Sequence, residues 1–402
     1  MNHSTSSVLG LVAASLLVAC GSSTESSSAA PAGATPPTAP AAAEQTPPAP
    51  SCPSGAGVAI DSGKIVARVS IDGRAPIKAV LDTGASVSVF RKDAVTQSAA
   101  DVTVAGRTIH LARATVSDDV IASLRMPDVH AVLGGDVFAG LALTVDYPRS
   151  VVMLDDAVDE RALAACAHVA AAHDWVPFTV SGDLFVRGSM EGKDGWLLLD
   201  TGASLGVVTE STFTALSATR ARPALTGFYT PAAVGTFWAK LTTLDSITVG
   251  GLSIEHVVAR TIEDDMIGNA PGKGDFLGVV PSDFFAHTMV TFDYAKKRLR
   301  LAPAKDDPTK LPSRFFPIGI GLEERLDLPV HVGAVLAGSA AADAAIAVGD
   351  EIVEVAGRRM ADLDAYTRAW TLVTGTPKAQ VVVKLRHEGV ERVVTLESRD
   401  LL

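Results

Sequence analysis

Asp82-Thr83-Gly84-Ala85-Ser86 and Asp200-Thr201-Gly202-Ala203-Ser204 are one five-residue string met twice in a chain of 402 residues. Each copy follows an apolar run, Ala79-Val80-Leu81 before the first and Trp196-Leu197-Leu198-Leu199 before the second. Such runs predict buried strands that end at the aspartates. Glycine two residues on allows a tight turn and a close backbone approach that a Cβ would obstruct. Two carboxylates in matched surroundings can be held near enough to share a proton. Like charges a few ångströms apart do not both ionise comfortably, so one residue type then supplies an acid and a base.

The duplication extends to both sides. Upstream, Val66–Gly73 and Phe185–Gly192 alternate polar and apolar residues and end in the turns Asp72-Gly73 and Glu191-Gly192. Downstream, Val102-Thr103-Val104-Ala105-Gly106 matches Ile247-Thr248-Val249-Gly250-Gly251, with Ile109 and Ile254 beyond. Val132-Leu133-Gly134 matches Phe276-Leu277-Gly278. Asp136-Val137-Phe138 and Asp283-Phe284-Phe285 follow, and both copies reach an Asp-Tyr pair, Asp146-Tyr147 and Asp293-Tyr294. Matches in one order predict two copies of a β-rich unit, residues 57–156 and 174–303. The 157–173 segment joins them, its Ala-rich stretch Asp159–Ala172 predicted helical. Extra residues in the second copy, at Arg222–Phe237, at Ile267–Asp275 and between Gly278 and Asp283, belong in loops.

The doubled motif, with its later apolar-apolar-Gly and Gly134-Gly135-Asp136, resembles the aspartic peptidases, closest to the retropepsin type. Its duplication in one chain resembles the two-lobed pepsin arrangement, over about residues 57–303. The resemblance implies a mostly β fold of two pseudo-symmetric lobes and an endopeptidase acting on polypeptides. Asp82 and Asp200 would be the catalytic pair, with no metal or organic cofactor. The ionised member would activate water and the protonated one would polarise the peptide carbonyl. Thr83 and Thr201 would grip the opposite loop across the pseudo-twofold axis. Ser86 and Ser204 would donate to the outer carboxylate oxygens, and Gly134 and Gly278 would lie beneath the loops. A flap is expected at Thr103–Leu111 around Gly106, or in the insert carrying Phe228, Tyr229, Phe237 and Trp238. Both carboxylates reside in one chain, so a monomer suffices. Gly202-Ala203-Ser204-Leu205-Gly206 also fits a serine-hydrolase elbow, but Val207-Val208-Thr209 continues as strand where the elbow opens a helix. The rival reading is a catalytically silent peptide-binding envelope protein, which has no need of two matched carboxylates.

From Leu311 the pattern changes. Pro317-Ile318-Gly319-Ile320, Val332–Val335, Gly338–Ala341, Val348–Val353 and Val355–Gly357 resemble a bacterial PDZ domain, a small α+β module over residues 311–400. Asp362–Leu372 would be its groove helix, and Gln380–Leu385 with Arg392–Leu396 its last strands. The resemblance implies a site at Ile318, Gly319 and Ile320 that takes a C-terminal peptide at a sheet edge. The alternative is a docking module that packs on the protease body.

The N-terminal apolar stretch Val8–Ala19 is too short to span a bilayer as a helix. It ends in Leu17-Val18-Ala19-Cys20, which resembles a lipoprotein lipobox. That implies a signal peptide over residues 1–20, acylation at Cys20 and anchorage at the periplasmic face of the bacterial envelope, with Gly21-Ser22 resembling outer-membrane sorting. Residues 1–7 lack the Lys or Arg such signals carry, and an ordinary signal peptide is the alternative. Residues 21–56 are rich in Ser, Ala and Pro and read as a disordered tether. A Cys52–Cys166 disulfide fits an oxidising compartment, with two unpaired buried thiols as the alternative. Cys166, His168 and His173 fit no common zinc spacing. A net charge of −11 argues against a nucleic-acid surface.

Overall fold

Alternation of apolar residues builds the first lobe. In the computed structural model, which describes residues 50–61, 63–232, 235–272, 274–305 and 315–402, strand β1 (Lys64–Ile71) buries Ile65, Ala67, Val69 and Ile71 on one face. It turns through Asp72 and Gly73, both at positive φ, into β2 (Ile77–Leu81). The hairpin β3 (Ala100–Val104) and β4 (Arg107–Leu111) follows, then α1 (Asp118–Ser123), capped by Ser117, and β5 (Val129–Leu133). Strand β2 runs antiparallel to β1 and parallel to β5, with Leu81 opposite Leu133. Flanked on both edges and covered on both faces, it needs the unbroken apolar run it has. Strands β6 (Ala142–Asp146) and β7 (Val151–Asp155) complete the lobe.

The connecting helix α2 covers only Glu160–Ala164, capped by Asp159, and not the whole of Asp159–Ala172. Cys166 is bonded to Cys52, and Val169 bridges Ala304, so the chain leaves helical geometry after Ala165. Cys20, the signal segment and the tether through residue 49 lie outside the described residues.

The second lobe repeats the plan with β8 (Asp183–Met190), β9 (Lys193–Asp200), β10 (Gly206–Thr209) and α3 (Glu210–Thr219). It then adds a long hairpin, β11 (Leu225–Ala232) with β12 (Gly235–Val249), before β13 (Leu252–Ile262), β14 (Phe276–Pro281), β15 (Thr288–Asp293) and β16 (Arg298–Pro303). Leu199 lies opposite Val280 as Leu81 lies opposite Leu133. Val207 pairs with Val279 as Val89 pairs with Val132. This register corrects the sequence alignment: the counterpart of Gly134 is Pro281, Gly278 sits three residues earlier, and no insertion precedes Asp283. The lobes join where β6 runs antiparallel to β15, with Thr144 opposite Thr291 and their hydroxyls 3.0 Å apart.

In the C-terminal module, β17 (Ile320–Leu322) pairs with β18 (Val332–Val335), and β19 (Gln380–His387) with β20 (Val390–Glu397). Its helix α4 is Ala365–Trp370, opened by Asp364, whose side chain accepts from Thr367 N–H. Ile318, Ile320, Val332, Ile352 and Val383 form one apolar cluster with Leu225, Phe228 and Leu241 of lobe two. The module therefore shares its core with the β11–β12 hairpin.

Candidate active site

Asp82 directly follows β2 and Asp200 ends β9, and the two loops meet at the floor of the inter-lobe cleft. Beneath them, Thr83 and Thr201 are buried and bonded crosswise. The Thr83 hydroxyl donates to Leu199 O (2.8 Å) and accepts from Thr201 N–H (3.2 Å). The Thr201 hydroxyl donates to Leu81 O (2.7 Å) and accepts from Thr83 N–H (3.0 Å). Gly84 N–H donates to Asp82 Oδ1 and Gly202 N–H to Asp200 Oδ1, each at 2.8 Å. Each glycine also lies against the other lobe's carboxyl. A Cβ on Gly84 would stand 2.5 Å from Asp200 Cγ, and one on Gly202 2.5 Å from Asp82 Cγ, so neither position admits a side chain.

Each carboxyl lies against the glycine of the other loop, which brings the two acids close enough to act on each other. Burial first, then the charge and hydrogen bond of Asp200, hold Asp82 well above the ordinary carboxylate range, while Gly84 N–H pulls the other way. The proton belongs to the pair as a unit. Such a pair can take a proton from a water on one oxygen and donate from another.

The loops are supported differently in the two lobes. Asp136 accepts from Ser88 N–H (2.9 Å) and the Ser88 hydroxyl (2.6 Å), and that hydroxyl accepts from Gly134 N–H (3.0 Å). A Cβ on Gly134 would meet Ala85 O at 2.6 Å, directly under the motif. Gly278 instead faces Val207, on the strand after the second motif, where a Cβ would stand 2.8 Å from the carbonyl carbon. Ser86 and Ser204 are not placed as expected. The Ser204 hydroxyl accepts from Lys64 Nζ, and Ser86 lies beside Gly182 and Asp183. Both serines lie beyond the turn, where they face the first residue of the other lobe's long strand.

Lys64 and Asp183, missed in the sequence, thus occupy equivalent places at the heads of β1 and β8 with opposite charges. The available signal was a charged residue immediately before three consecutive apolar residues in both repeats. Burial lowers the Lys64 pKa, opposed by Asp200 and Asp82. Burial raises that of Asp183, opposed by Asn269, whose Nδ2 donates to it at 2.9 Å.

The cleft holds a cavity of about 600 Å³. Lobe one borders it through Ser123–Met126, not through Thr103–Leu111. That hairpin is fastened elsewhere, with Arg107 donating to Leu154 O (3.2 Å) and paired with Asp156 (2.7 Å). It matches the β12–β13 turn, and the extra hairpin belongs to lobe two alone. The aromatic insert is β11 and the start of β12, and it carries the C-terminal module. Gly227 lies on the backbone of Leu322, Thr226 on Gly321, and Phe228 meets Trp370 edge-on at 5.3 Å. Strand β11 therefore fills the space between β17 and α4. Ile318 and Ile320 are buried; Ile318 N–H donates to Leu372 O, its carbonyl accepts from Ala341 N–H, and Gly319 O accepts from Leu336 N–H. These backbone groups are committed within the module. Cys52, Cys166 and His168 come together, but the two sulfurs are spent in the disulfide.

Residues 186–274, which include Asp200–Ser204, match the family model for aspartyl proteases, and residues 310–386 match that for PDZ domains. No curated protein matches the chain. Among solved structures, an aspartic proteinase from Irpex lacteus is 14% identical with a TM-score of 0.39, covering 61% of this chain and 95% of that one. A photosystem II D1 C-terminal processing protease is 23% identical with a TM-score of 0.21, covering 23% of this chain and 25% of that one. The chain is thus mostly β, an aspartic-protease-like body followed by a PDZ domain.

Proposed function

We propose that this protein is an aspartic endopeptidase in which Asp82 and Asp200 share one proton and split peptide bonds with an activated water. The observation that carries this reading is the reciprocal seat of the pair: each carboxyl is bonded to the glycine of its own loop and packed on the glycine of the other. A peptide-binding cleft needs no such matching. The ionised carboxylate takes a proton from water as it attacks the scissile carbonyl, and the protonated partner donates to the developing oxyanion. The PDZ domain recruits or gates protein substrates beside the cleft, and the body acts as a monomer. Acylated Cys20 tethers it at the periplasmic face of the outer membrane.

The test is incubation of the protein with denatured polypeptide from acidic to neutral pH. Cleavage abolished by Asp82→Asn and by Asp200→Asn, each alone, is the expected result. No cleavage at any pH, with peptide still bound, would establish the silent binder. Excess free C-terminal peptide should slow cleavage of tailed proteins more than of short peptides, and equal effects would remove the recruiting role. Palmitate labelling lost in Cys20→Ser checks the anchor.

A further inference from the structure

The cleft is electrostatically lopsided, and the sequence repeat makes the lopsidedness visible. At equivalent positions heading β1 and β8, one end of the dyad has Lys64 on Ser204 and the other has Asp183 on Ser86. Arg260, on β13, joins Lys64 in the wall of the cavity that contains Asp82 and Asp200. Its guanidinium lies 5.6 Å from the Phe237 ring centroid, and its Nε is buried with no hydrogen-bond partner among the described residues. Lys64 and Arg260 repel each other across this wall. Arg125 borders the same space but is already engaged by Asp364 (3.0 Å) and by the Tyr366 ring. The acid on the facing side, Asp283, stands beside Gly63. Helix α4 closes this end through Tyr366 and Trp370.

The carboxyl pair, chiefly Asp200, attracts both cations, but Arg260 keeps an Nε–H with no hydrogen-bond partner among the described residues, a donor left for an incoming anion. Charged hydrogen bonds in such places are the strong ones. The geometry points to a carboxylate-binding subsite formed by Lys64 and Arg260. It would select peptide substrates that carry a carboxylate beside the scissile bond, at the end of the cleft closed by α4. This inference rests on the peptidase reading above. The carboxylate can be an Asp or Glu side chain or the free C-terminus of the chain being cut.

The experiment uses the whole protein and one peptide scaffold in three forms, with Glu, Gln or Lys walked through the positions flanking the cut. Each form is made with a free and with an amidated C-terminus. Expected is a Glu preference of about tenfold or more in kcat/KM over Gln at one position, falling with salt. Free-acid forms cut faster than amides, with Glu and Gln alike, assign the C-terminus; a Glu preference kept in the amides assigns the side chain. Arg260→Gln should erase the discrimination while the Gln peptide is still cut, and Arg260→Glu should favour the Lys peptide, with Tm measured on both. If the Gln peptide is cut and all forms are cut equally, the subsite is refuted and the peptidase reading stands. Where no peptide is cut, fluorescence anisotropy of the same peptides decides. Glu peptides binding no tighter than Gln peptides would overturn the subsite independently of catalysis.

Discussion

Replacing Thr83 with valine tests whether the crosswise threonine bonds hold the carboxyl pair together. Valine has nearly the same shape, so little packing is lost. What goes is a hydroxyl that donates to Leu199 O and accepts from Thr201 N–H, both in a buried place. Two backbone groups are then left without partners. Each such group costs about 1–3 kcal/mol, so Thr83→Val should lose roughly 2–6 kcal/mol, seen as a Tm lower by roughly 5–10 °C. Because Leu199 precedes Asp200, the same change loosens the spacing of the pair, and kcat should fall more than tenfold with little change in KM. Thr83→Ser keeps the hydroxyl and should keep most of the activity. Each hydroxyl accepts from the other threonine's N–H, so the Thr83→Val and Thr201→Val losses should not add, and a double-mutant cycle should show a coupling of about 0.5–3 kcal/mol. A Thr83→Val protein with unchanged Tm and full activity would refute the reasoning, since the bonds would then be holding nothing.

The raised pKa of Asp82 fixes a sign. The folded protein keeps that proton above the pH at which the unfolded chain loses it, so this group's contribution is full in acid and is lost as pH rises through the folded value. Asp82→Asn should therefore raise Tm at pH 7.5 by more than at pH 4, and an equal or reversed difference would contradict the assigned direction. Cys52 and Cys166 close a loop spanning 114 positions, for which chain entropy suggests about 4–5 kcal/mol. Thermal unfolding with and without reductant should show a clearly lower Tm in the reduced protein, and coincident curves would deny the bond a stabilising role. Gly278→Ala drives a Cβ into the Val207 carbonyl, which is backbone and has nowhere to retreat. It should cost about 3 kcal/mol or more, read as lost soluble yield or a lower urea midpoint.

The five-residue strings were legible because everything they dictate is local: a strand end, a turn, a glycine that another backbone must touch. The grip of Thr83 and Thr201 came with them through the family resemblance. The slip at Gly278 came from matching glycine to glycine, whereas the sheet matches hydrogen-bond register. Once Val207 is set against Val89, Pro281 replaces Gly134 and Gly206 replaces Ser88. The two changes go together physically. Gly134 donates its N–H to the Ser88 hydroxyl; proline has no N–H to donate and Gly206 no hydroxyl to receive it. Of the two flap candidates, Thr103–Leu111 lies away from the cavity for a related reason. Alternation identifies a hairpin but does not say which side of a lobe it closes on, and that was fixed only by the pairings of Arg107. Lys64 and Arg260 lie on strands of different lobes, and only the folded cleft brings them to one wall.

Doubling supplies symmetry for the chemistry, and an unequal insertion then removes symmetry from the cleft. Only lobe two carries the β11–β12 hairpin, and that hairpin lies against both β17 and α4 of the PDZ domain. Helix α4 reaches the other lobe as well, through Asp364 and Tyr366 on Arg125. One short helix therefore touches both halves of the body at one end of the carboxyl pair. At that end α4 lines the cavity through Tyr366 and Trp370, whereas Asp183, at the other end, accepts from Asn269 of lobe two. A ligand that separated β11 from β17 would have to expose Leu225 and Phe228, which share an apolar cluster with Ile320. Burying each of those side chains is worth about 1.5–3 kcal/mol, so a ligand at this edge would have to replace contacts of that size to part β11 from β17.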